Sequence, residues 1–67
     1  KNNETVYACE IHLAISKLYM DVFEDEEEAC EELQKAKNSL EKDIDAQIYK
    51  PEIKLEIDKL SNKYCKN

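Results

Sequence analysis

Not one glycine occurs in these 67 residues, and Pro51 is the single proline. Average usage of roughly 7% would place about five glycines in a chain this long. Without them there is no Gly-rich phosphate loop, no dinucleotide-binding turn and no EF-hand turn. Hairpins of the Asn-Gly kind are missing as well. A chain with so little turn chemistry and regular apolar spacing is expected to be all-α. Its length supports one domain over residues 1–67 whose core needs a staple, a partner or very regular packing.

The spacing predicts a first helix over about 4–23, with Asn2 and Asn3 available as caps. It carries two apolar stripes. Tyr7, Ile11, Ala14, Ile15, Leu18 and Val22 form the main one, at intervals of three and four. Val6, Cys9, Leu13 and Met20 form a second on nearly the opposite side. A helix apolar on two faces is normally central in its fold or shared with another chain. The expectation is that the main stripe enters the core and the second meets a partner.

Asp25 and Glu28 have capping-box spacing, and the run Glu24 to Glu28 suits the positive end of a helix dipole. A second helix over about 25–48 follows, its stripe being Ala29, Leu33, Ala36, Leu40, Ile44 and Ile48. Pro51 opens a third over about 51–65, with Ile53, Ile57, Leu60 and Tyr64 on its inner face. The result is a small three-helix bundle running up, down and up. The alternative is a long-helix oligomer, because no glycine or proline forces a turn between Glu4 and Tyr49. The stripes also repeat every eleven residues, at Ile11, Val22, Leu33 and Ile44, a spacing close to that of a straight helix.

Charge removes further classes. Ten acids against two lysines in residues 1–32 give a net −8; six acids against eight lysines in the remainder give +2. There is no arginine. An acidic half opposes nucleic acid and anionic membrane, both of which favour clustered basic residues. No apolar run approaches the length of a membrane span, so membrane insertion is not expected. The acidic surface around Glu26 and Glu27 instead suits a protein partner.

Three cysteines remain to be placed. In an up-down-up bundle Cys30 and Cys65 rise to similar heights above the turn at Tyr49, so they form the favoured internal disulfide. Cys9 is left over. It either bridges to a second copy, making a homodimer, or packs as a small buried hydrophobe with a free thiol. A disulfide, a chain opening on Lys1 and the sequon Asn3-Glu4-Thr5 together favour a secreted protein over a cytoplasmic one.

Chemistry finds little purchase. Cys9 and His12 share one side of the first helix, but a structural zinc site needs four ligands and a thiol nucleophile needs an oxyanion pocket. The acidic run lacks the loop that wraps carbonyls around calcium. No catalytic residue, metal or cofactor is assigned.

Two fragments resemble known families. Tyr7-Ala8-Cys9, the apolar helix after it and Leu60 through Cys65 look like secretoglobins, which are disulfide-linked dimers enclosing an apolar ligand. Cys30 and the short separation of Cys9 from Cys65 depart from that pattern. The tail Glu56-Ile57-Asp58-Lys59-Leu60 looks like the Glu-Leu-Asp core of small phosphatases that act on sporulation response regulators, with Lys54-Leu55 where that family has Ser-Gln. Neither is adopted. The sequence thus points to a secreted, disulfide-stapled, non-enzymatic module that binds another protein through Val6, Leu13, Met20, Glu26 and Glu27. The alternatives are a dimeric carrier, with an apolar ligand lined by Val6, Leu13 and Met20, and a cytosolic or viral regulator of a partner enzyme.

Overall fold

The computed structural model describes residues 6–65. The caps expected at Asn2 and Asn3 and the sequon at Asn3 lie outside them. Four helices follow one another: α1 (Ala8–Asp21), α2 (Glu26–Lys42), α3 (Ile44–Tyr49) and α4 (Glu52–Tyr64). No strand occurs among the described residues.

Helix α1 starts later than the expected residue 4, because Tyr7 is extended (φ −88°, ψ 152°) and acts as the N-cap. Its backbone N–H donates to Glu10 Oε1 at 3.1 Å, so the carboxylate covers a donor the helix cannot satisfy. At the other end the chain turns at residues 22–25, with Glu24 in the left-handed region (φ 53°). Asp25 then caps α2, its side chain accepting from the Glu28 N–H at 3.1 Å. This turn overturns the continuous long helix: α1 and α2 pack against each other as an antiparallel pair.

The second expected helix is also broken, at Asp43. Its side chain accepts from the Ala46 N–H at 3.1 Å and starts α3, while Gln47 Nε2 donates back to the Leu40 carbonyl at 2.8 Å. Both bonds replace those that an uninterrupted helix would make. The break turns Ala46 into the core and leaves Ile44 and Ile48, both expected inside, exposed. The molecule therefore has four helices where three were expected. Pro51 adopts helical angles ahead of α4, where its missing N–H costs nothing.

The core consists of Cys9, Leu13, Leu33, Ala36, Leu40, Ala46, Ile53 and Ile57, with Tyr7, Met20, Leu60 and Cys65 packed against it. Small residues let α1 and α2 approach closely: Cys9, Ser16, Ala29 and Ala36 are all fully buried. The Ser16 hydroxyl donates to the Leu13 carbonyl at 2.6 Å, so its burial leaves no unpaired donor. Helix α2, packed most extensively against α1 and then α4, occupies the centre. Helix α1, expected there because of its two apolar faces, leaves one of them exposed.

Candidate functional site

The structure buries the stripe of α1 that was expected to meet a partner: Cys9, Leu13 and Ser16 are buried, and Met20 is half-buried against the core. Of the main stripe, Tyr7 packs against the core, and the part from Ile11 onward faces outward. Ile11 is 49% exposed, Leu18 53% and Val22 62%, with Ala14 also exposed and Ile15 half-buried. Val6 extends this face at one end and Phe23 at the other, both exposed. Only Val6 of the three apolar residues expected at the contact surface is there.

The reason lies in side-chain size. The inward stripe alternates small residues (Cys9, Ser16) with long ones (Leu13, Met20), and α2, which packs on α1, buries Ala29, Leu33 and Ala36. The bulkier outer stripe, with Ile11, Ile15, Leu18 and Val22, would hold the two backbones further apart.

Polar contacts frame the outward face. Lys50 Nζ donates to Glu10 Oε2 at 2.7 Å and lies 5.7 Å from the centre of the Tyr7 ring. That ammonium holds the Glu10 carboxyl below its ordinary range. Lys17 pairs with Glu56 on α4. On the α2 side, His12 Nδ1 lies 2.8 Å from Glu32 Oε1, and Lys35 Nζ is 3.3 Å from Glu32 Oε2. Glu32 is buried, and the His12 hydrogen bond, aided by Lys35, keeps its carboxyl below the usual range despite that burial. His12 is thus a half-buried partner of an acid twenty residues away. Glu10, Ile11, Ala14, Ile15, Leu18 and Lys50 line a shallow depression on the outward face.

The acidic turn continues from Phe23. Glu24, Asp25, Glu26 and Glu27 are exposed, as expected for the latter two. None of Glu24, Glu26, Glu27 or Glu28 pairs with a cation among the described residues. The Glu28 carboxyl is pushed up, chiefly by the neighbouring charge of Glu31.

Cys30 and Cys65 stand at disulfide distance, their Cα atoms 5.4 Å apart, tying the start of α2 to the end of α4. Cys9 is a fully buried free thiol, which leaves it no route to a second chain in this conformation. Burial pushes its pKa up. No group of three or more His, Cys, Asp or Glu side chains among the described residues is placed to hold a metal. No helix among them is long and apolar enough to cross a membrane. A groove of about 680 Å³ lies where α2, α3 and α4 meet and is lined in part by Lys37, Gln47, Lys50 and Lys54. Two of its lysines are engaged: Lys50 by Glu10 and Lys54 by Asp58 at 3.0 Å.

Comparison with known proteins adds no relative: no family model, no curated protein and no solved structure matches the chain.

Proposed function

We propose that this chain is a small, non-enzymatic helical module that binds another protein, and that the outward face of α1 is its contact surface. One observation carries the reading. Helix α1 spends one apolar stripe on its own core and presents a second, running from Ile11 to Val22, to solvent. Isolated exposed apolar residues are ordinary, but a contiguous stripe along one helix, framed by charged pairs, is the pattern of an interaction site. The acidic turn extends the surface at the Val22 end. In this reading the four helices are an up-down-up bundle whose middle limb is kinked at Asp43.

The Cys30–Cys65 pair favours an oxidising, secreted setting for the module. The carrier reading loses its expected lining, since Leu13 and Met20 pack into the core. Dimerisation through Cys9 is likewise not retained.

The test is a selection of helical peptides from a random library against the oxidised full chain. Selected peptides are expected to shift the amide and methyl resonances of Ile11, Ala14, Leu18 and Val22. Binders that settle elsewhere, for instance in the groove at Gln47 and Lys54, would overturn the assignment.

A further inference from the structure

Building on the reading of α1 as a docking face, we propose that its occupant is a cationic amphipathic helix, laid along α1 with basic residues over the turn from Glu24 to Glu28. Three observations on charge and shape converge on that partner.

The first is the distribution of charge. Between Lys17 and Lys35 the chain holds eight acids and no base. Asp25 is used as the cap of α2, and Glu32 is paired with His12 and Lys35. Glu24, Glu26 and Glu27 are exposed and meet no cation among the described residues. The neighbouring Glu28 carboxyl is pushed up by Glu31 first, with smaller contributions from burial and from Asp25 and Glu27. A cationic partner relieves that repulsion; an acidic or neutral one does not.

The second is the end of α1. Its last turn contains no basic residue. Cations normally complement the carbonyls there. Asp21 lies in that turn and the acids of residues 24–28 follow it in sequence, so the negative helix end and the carboxylates point to the same requirement.

The third is shape. Ile11, Leu18 and Val22, with Ala14 and Ile15 between them, span about three helical turns, roughly 16 Å. An amphipathic helix meets such a stripe with anchors at i, i+3 or i+4, and i+7. A second copy of this chain fits less well, because it brings its own net charge of −6 against the same acids. Anionic membrane surface is disfavoured on the same ground.

The experiment uses the oxidised full chain and two synthetic helices of about 18 residues, long enough to be helical when bound. Both carry the same leucine stripe; one has lysines on its polar face and the other glutamates. Titration followed by amide and methyl shifts locates each helix, and calorimetry gives its affinity at low and high salt. The lysine helix is expected to bind at least about tenfold more tightly than the glutamate helix, with the preference shrinking in high salt. It should shift Ile11, Leu18, Val22 and residues 24–27, and Glu26→Gln with Glu27→Gln should reduce the preference. Both positions are exposed, so circular dichroism of the variant should match the parent. Equal binding of the two helices on α1 would overturn the cationic partner while leaving the docking face intact. Absence of either helix from α1 would overturn both. Self-association that Leu18→Lys abolishes would make a second copy the occupant and overturn the proposal.

Discussion

Leu13 and Leu18 sit five residues apart on α1 and face opposite ways: Leu13 is 6% exposed, buried against α2, while Leu18 is 53% exposed. The same helix therefore contains one leucine whose loss opens a cavity and another whose loss does not. Leu13→Ala is expected to cost about 2–5 kcal/mol in urea unfolding, the usual range for a buried leucine. Leu18→Ala should stay within about 0.5 kcal/mol of the parent. Equal losses at the two positions would mean that α1 is rotated from the orientation described above.

The disulfide closes a sequence separation of 35 residues. On the chain-entropy account, a loop of that size removes about 4 kcal/mol of freedom from the unfolded chain. Cys30→Ala with Cys65→Ala should lower the unfolding free energy by an amount of that order, and reduction of the parent should do the same. An unchanged urea midpoint on reduction would show that the two sulfurs are not bonded in solution.

Cys9 supplies a separate check. A thiol-reactive probe should find one thiol per oxidised chain, silent in the native protein and fully reactive in denaturant, because the group is buried and its pKa raised. Native mass without reductant should be that of a monomer carrying one internal disulfide. A covalent dimer would contradict the burial of Cys9.

Acid should destabilise the fold through Glu10 and Glu32. Each carboxyl is held below its ordinary range, by Lys50 and by His12 respectively. A group whose folded pKa is depressed stabilises the native state above its unfolded pKa, and that contribution is lost as the pH falls through the folded value. Unfolding free energy should thus decline on the acid side of the normal glutamate range. Glu10→Gln and Glu32→Gln should each flatten the decline. An unchanged pH profile in both variants would remove these pairs from the account.

Much of the fold is legible in the residue pattern, and the errors have local causes. Pro51 marks the start of the last helix, observed at Glu52, and Asp25 marks the second, observed at Glu26. The pairing of Cys30 with Cys65, expected from helical rise counted along an unbroken second helix, is seen at disulfide distance although that helix breaks at Asp43. The break at Asp43 is hidden because Leu40, Ile44 and Ile48 keep helical spacing across it. Asp43 three residues before Ala46 is a capping signal, and it prevails over the stripe.

The candidate surface is less legible for a different reason. Both stripes of α1 are apolar enough to be core, so hydrophobicity does not choose between them. The choice falls to small residues on both helices: Cys9 and Ser16 on α1 and Ala29 and Ala36 on α2 are all fully buried. That complementarity belongs to a pair of helices, and it cannot be read from either alone. The His12–Glu32 contact is hidden in the same way, being made across the hairpin.

The most direct test of the central claim is the affinity of a library-selected helix for the double variant Ile11→Lys/Leu18→Lys, measured beside the parent chain. Both positions are exposed, so the variant's unfolding midpoint should remain near the parent's. If the outward face of α1 is the contact surface, two central anchors are lost and binding should weaken at least about thirtyfold, the equivalent of roughly 2 kcal/mol. Unchanged affinity in a variant with an unchanged midpoint would contradict the account.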